Sequence, residues 1–185
     1  MSRQVQLVLL CEDNQHEAFV RRFLAEMGWD NRSMRVVKAP GGRGSGEQYV
    51  RERFPVELEA QRSRHVNQAL VVMMDGDNQG VGARLNQLDE ACQGANIRRR
   101  TRDERVAVFI PTWNIETWLA YLDGAQVDEE RFNYRRLDRE RECQRHVEEL
   151  ARMCRARELR TPSPLSLDAA CDEYRTLLER GGSSS

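Results

Sequence analysis

Ala69-Leu70-Val71-Val72-Met73-Met74-Asp75-Gly76-Asp77 is an apolar run of strand length that ends on two carboxylates. A run without polar alternation fits a strand covered on both faces, as in a parallel sheet between layers of helices. Residues 5–10, 35–38 and 106–110 form three more short apolar runs, and the first and last of these are also nearly continuous. Between the first two, Phe19, Val20, Phe23, Leu24 and Met27 recur at helical spacing and Gly28 follows as a stop, which predicts a crossover helix over 17–27. A charged segment through Arg64 also reads as a helix. Further helices are expected over 83–92 and from Ile115 onward.

The alternation β-α-β-α-β-α-β-α implies an α/β fold with an open parallel four-stranded sheet flanked by helices. Residues 138–159 and 167–178 read as two more helices, separated by Thr161-Pro162-Ser163-Pro164. The expected organisation is a domain over 1–124, a helical C-terminal extension over 125–180 and a disordered tail over 181–185. A chain of 185 residues is long enough to bury a core without disulfides or a structural metal.

The charges nearly cancel, with 29 basic and 30 acidic residues and a net charge of -1, so a polyanion would have to be held by a local arginine patch. Lys38 is the only lysine. The five cysteines, Cys11, Cys92, Cys143, Cys154 and Cys171, form no CxxC pair and read as reduced thiols. No apolar stretch approaches the roughly 20 residues of a membrane helix, and a cytoplasmic protein is expected.

In an open parallel sheet, ligands bind outside the carboxyl ends of the strands. Three of those ends carry acid: Glu12 and Asp13 follow the first run, Asp75 and Asp77 the third, and Glu116 lies shortly after the fourth. Residues two apart on an extended chain point to one side, so Asp75 and Asp77 are expected to face a common point. Crowded carboxylates repel unless a cation separates them. Oxygen ligands without His or Cys suit Mg²⁺ or Mn²⁺, an ion fitted to phosphoryl chemistry. Taken singly, Asp-Gly-Asp is an ordinary turn and Glu12 or Glu116 an acid favoured at a helix N-terminus. Their joint arrival at strand ends makes the case for a site.

Val8-Leu9-Leu10-Cys11-Glu12 followed by Asp75-x-Asp77 resembles the TOPRIM domain of topoisomerases, primases and the OLD (overcoming lysogenization defect) nucleases. The run from Glu12 to Val20 and the run Trp113-Asn114-Ile115-Glu116-Thr117-Trp118-Leu119 are similar to segments of the small stand-alone TOPRIM-like proteins of the RloB group. Asp13, His16 and Asn114 stand where that group has glycine, glutamate and glutamate. The resemblance implies a Mg²⁺-dependent nuclease in anti-phage defence beside an ABC-type or AAA ATPase. It makes Glu12, Asp75 and Asp77 metal ligands, and Glu12 and Glu116 catalytic groups. His16 reads as a solvent-exposed helix residue, and Trp113 and Trp118 as packing anchors.

Candidate substrate contacts are Arg43 in the loop 41–46, and Arg99 and Arg100 in the cluster that enters the fourth strand. That cluster is expected at the end of the strand away from the carboxylates unless its loop wraps back. A response-regulator receiver would share the acidic start but needs a lysine after a later strand, whereas Lys38 precedes Asp75. A non-catalytic binding subunit remains the alternative reading. Nucleic acid, an ATPase subunit and a second copy of the chain are the partners the sequence suggests.

Overall fold

The computed structural model describes residues 5–41, 44–64 and 68–179. Four strands, β1 (Leu7–Cys11), β2 (Met34–Lys38), β3 (Ala69–Met73) and β4 (Val106–Phe109), form one sheet in the order β2-β1-β3-β4. Every pairing is parallel. β1, β3 and β4 are buried along their whole length, as their unbroken apolar sequences require, while edge strand β2 is only partly covered. The α/β class and the open parallel sheet expected from the sequence are therefore present.

Helices cover both faces. The side chains of Leu7, Leu9 and Cys11 meet α1 (Asn14–Glu26), α4 (Ile115–Leu122), α5 (Gln144–Ala156) and α6 (Leu165–Glu173). Those of Val8 and Leu10 meet α2 (Gly46–Ser63) and α3 (Gly80–Gly94). α1 starts three residues earlier than its apolar spacing suggests, because the Asp13 carboxylate caps it by accepting the His16 N–H at 2.9 Å. Gly28, at φ +98°, ends it.

The C-terminal helices share the first core with α1 and α4, so among the described residues no separate hydrophobic centre begins after residue 124. Their packing also corrects the expectation of five reduced cysteines. Cys154 of α5 and Cys171 of α6 form a disulfide across the helix pair, with Cα atoms 5.8 Å apart, while Cys11, Cys92 and Cys143 are free and buried. A contact made by tertiary packing leaves no spacing signature. The expected tail at 181–185 lies outside the described residues. No helix among the described residues is long and apolar enough to cross a membrane.

Leu9 sits at the sheet centre with no exposed surface. Leu9→Ala is expected to cost about 2–5 kcal/mol in urea denaturation. Val56→Ala, at a side chain 48% exposed, should change stability by less than about 0.5 kcal/mol.

Candidate functional site: an acidic cluster at the sheet switch point

β1 leads to β2 on one side and β3 lies on the other, so the chain reverses its direction of travel across the sheet between β1 and β3. The carboxyl ends beside such a reversal form a crevice where helices on opposite faces diverge. Cys11 pairs with Met73 in register, which brings Glu12 beside the residues that follow β3. The Asp75 amide donates to Glu12 Oε1 at 2.6 Å and fixes the two strand ends to each other.

His16 completes the joint. Its Nε2 lies 3.1 Å from Asp75 Oδ1, and its ring is wholly buried rather than exposed as expected. The reason is the early start of α1, which turns His16 inward on the face of Phe19 and Val20. Burial pushes the imidazolium pKa down, but the charge of Asp75 and its hydrogen bond outweigh this, and the value rises to about 10. A buried cation thus faces the acids in this arrangement.

Glu12 is pushed the other way. Burial raises its pKa, the His16 cation lowers it, and Asp75 and Asp77 raise it again, for a net value of about 7. Burial likewise raises Glu116, with Asp75 adding to the shift. Glu116 is the second residue of α4 and 7% exposed, and its Oε1 lies 3.4 Å from Arg136 Nε. Asp75, Glu116 and Arg136 line one cleft of about 330 Å³. Burial drives the neighbouring Cys11 thiol up to about 12, which removes it as a thiolate nucleophile.

Asp77 does not join this group as the sequence suggested. Its backbone is left-handed at φ +48°, and its carboxylate turns to Arg84, with Oδ2 2.8 Å from Nη2. Arg84 is buried, donates also to the Asp75 carbonyl at 3.1 Å, and holds α2 through Glu47. The Glu47 contact, at 2.7 Å, is an ion pair that is not aligned as a hydrogen bond. Asp75 and Asp77 therefore diverge, because the glycine between them reverses the chain rather than extending it. Burial, then Asp75, raise Asp77, and Arg84 only partly offsets them.

Two glycines let the backbones close up. A Cβ on Gly76 would lie 2.2 Å from the Thr112 carbonyl oxygen and 2.7 Å from that of Pro111. Here the Gly76 and Asp77 amides donate to Pro111 and Trp113 and lock the turn to the β4–α4 loop. A Cβ on Gly46 would lie 2.9 Å from Glu12 Cβ, so the first turn of α2 rests on Glu12. This places the positive end of the α2 dipole beside the carboxylate.

Two of the three candidate arginines can be placed relative to the acidic cluster. Arg43 lies outside the described residues. Arg99 and Arg100 precede β4, at the end of the sheet opposite the carboxylates. Arg100 is engaged by Glu173 at 2.8 and 2.9 Å and by the Val106 carbonyl, while exposed Arg99 sits 4.0 Å from Asp89. Neither contributes to the acidic cluster. His16, Arg84, Gly46 and Arg136 do, and the sequence signal was present only for the first: a histidine four residues after a strand-end acid, behind an Asp cap.

The donors Glu12, Asp75 and Glu116 are hard oxygens suited to Mg²⁺ or Mn²⁺. Among the described residues, however, no three acidic, His or Cys side chains are grouped to hold a metal ion, since His16 and Arg84 occupy Asp75 and Asp77. An ion here would have Glu12 and Asp75 as its nearest protein oxygens, and participation by Asp77 would require its release from Arg84. In comparisons with known proteins, no family model, curated protein or solved structure matches the chain.

Gly76→Ala should destabilise the fold by about 1–3 kcal/mol or more, because the obstructing atoms are backbone. Gly82→Ala, in helix α3 with open space at its Cβ, should instead stabilise by about 0.5–1 kcal/mol, both read by thermal denaturation.

A second expectation concerns pH. Glu12 binds its proton more tightly in the fold than at its ordinary value of 4.5, so its contribution is favourable at low pH and is lost as pH rises towards about 7. In EDTA, Glu12→Gln, which keeps the acceptor for the Asp75 amide, should match the parent below pH 4.5. It should exceed the parent by on the order of 2–3 kcal/mol at pH 8, read by urea denaturation.

Proposed function

We propose that the chain is a metal-dependent nuclease of the TOPRIM type, related to the RloB group. The observation that carries this reading is the delivery of Glu12, Asp75 and Glu116 from the ends of three neighbouring strands, with Asp75 and Glu116 lining one cleft, the Asp75 amide bonded to Glu12, and the pKa of Glu12 raised to about 7. An oxygen-rich, partly buried acidic site of this kind suits phosphodiester hydrolysis.

In this reading Glu12 and Asp75 hold the ion, Mg²⁺ or Mn²⁺. When bound, the ion supplies charge neutralisation at the phosphate and lowers the pKa of water. Glu12, poised near neutrality, is also suited to proton transfer at its carboxylate. The Asp75 amide keeps Glu12 oriented, and His16 keeps the Asp75 carboxylate oriented. Glu116 faces the same cleft and supports the site. The family resemblance adds an ABC-type or AAA ATPase partner and a role in anti-phage defence.

One observation favours a second reading, a non-catalytic binding subunit: Asp75 and Asp77 are already paired with His16 and Arg84 inside the protein. Metal addition separates the two. For the nuclease, Mn²⁺ at one hundred times Kd should stabilise the parent by about 2.7 kcal/mol. Asp75→Asn should abolish that gain, and Glu12→Gln should cut cleavage by at least about a hundredfold in the presence of the natural partner. An unchanged melting temperature with metal, or undiminished cleavage by Glu12→Gln, sinks the nuclease reading.

A further inference from the structure

The residues after α4 form an ordered strap beside the acidic cleft. Its sequence, Arg131-Phe132-Asn133-Tyr134-Arg135-Arg136, alternates cations with rings. Phe132 is 64% exposed, although a phenylalanine is normally withdrawn from water. Its ring rests on Trp113 with centroids 5.3 Å apart, and the Asn114 side-chain amide donates to the Phe132 carbonyl at 3.2 Å. The ring is thus displayed by the loop that leads into α4 and Glu116.

The strap is braced from within. The Asp128 amide donates to the Tyr134 hydroxyl at 2.8 Å, and the Arg131 guanidinium lies over the Tyr134 ring, 5.4 Å from its centroid. The next two arginines point outward, with side chains 85% and 86% exposed. Arg135 is paired with exposed Asp138, a solvated pair worth little. Arg136 reaches the lip of the cleft, where it meets Glu116. One short segment therefore presents an exposed aromatic face and two exposed guanidiniums, and its Arg136 lines the acidic cleft.

From this arrangement we infer that the strap 131–136 is a binding platform for single-stranded nucleic acid, on which a base stacks against Phe132 while Arg135 and Arg136 hold the flanking phosphates. The inference rests on the nuclease reading for its purpose, and it names the substrate class. Stacking on an exposed ring requires an unpaired base whose face is free, which a duplex withholds. Cation and ring interleaved along an irregular segment serve stacking and phosphate contact together. The molecule as a whole carries a net charge of -1, so attraction has to come from such a local patch. A protein partner with an acidic face is the competing occupant.

Anisotropy of short fluorescein-labelled single strands, DNA and RNA, measured in EDTA with the full chain, tests binding without catalysis. Single strands are expected to bind at least about tenfold more tightly than a duplex of the same length. Phe132→Ala should weaken binding about tenfold and Phe132→Trp should restore it. Arg135→Ala combined with Arg136→Ala should lower the magnitude of the slope of log K against log salt by about 1.4. Arg98→Ala combined with Arg99→Ala, at the far end of the sheet, should change nothing.

Equal affinity for duplex, indifference to Phe132→Ala, or displacement by poly-glutamate as effective as by an oligonucleotide overturns the inference. A strand bound in EDTA through Phe132 but left uncut with Mn²⁺ and the natural partner keeps the platform and sinks the nuclease. A strand cut by the parent and bound equally well by Phe132→Ala sinks the platform alone.

Discussion

The hydrogen bond from the Asp75 amide to the Glu12 carboxylate is the joint on which the site depends. It crosses the reversal point of the sheet and binds the end of β1 to the end of β3, so the position of each acid is set by the other strand. Everything near it follows from placing a buried carboxylate there. Gly46 has to lack a side chain for α2 to start beside Glu12. Gly76 has to lack one so that the β3 turn can press against the carbonyls of the β4–α4 loop. That loop then carries Glu116 to the same crevice.

Such crowding has an electrostatic cost, since burial and mutual repulsion both disfavour charged carboxylates. The protein offsets it with two buried cations on opposite sides of the turn, His16 from α1 and Arg84 from α3. The two differ in what they hold. Arg84 grips the Asp75 carbonyl, Asp77 and Glu47 together, so it braces the turn against α2 as well as neutralising charge. His16 contacts one oxygen of Asp75 and is backed only by the apolar face of α1. Burial and the neighbouring acids still leave Glu12 with a raised pKa, so the cations offset only part of the cost at that carboxylate.

The sheet was legible because burial on both faces writes itself into composition: a strand such as Ala69–Met73 has no polar residue to spare. The strand-end acids were legible for the same reason, as abrupt breaks in those runs. What was hidden depends on angles that spacing does not encode. Asp75 and Asp77 are two residues apart, but the left-handed backbone at Asp77 sends their carboxylates to different partners. His16 stands three and four residues before Phe19 and Val20, on their buried face, but a helix taken to begin at residue 17 leaves it outside the first turn; the Asp13 cap, which starts the helix at Asn14, brings it in. The Cys154–Cys171 pair and the clasp of Arg100 on Glu173 join segments far apart in sequence, which only packing brings together.

Arginine dominates the basic residues, and its uses divide by location. Inside the fold it serves as a multidentate clamp: Arg84 on the acidic turn, Arg100 on Glu173, and Arg62 on Glu104 and the Arg98 and Arg99 carbonyls. Planar guanidinium suits such positions because one group satisfies several acceptors in fixed directions. On the strap the same side chain stands out into water with only weak partners. A protein whose charges cancel overall thus keeps exposed guanidiniums beside a group of carboxylates. In the proposed reading, that juxtaposition would draw a phosphate backbone to the lip of the cleft, and the carboxylates inside would repel it until a cation intervened.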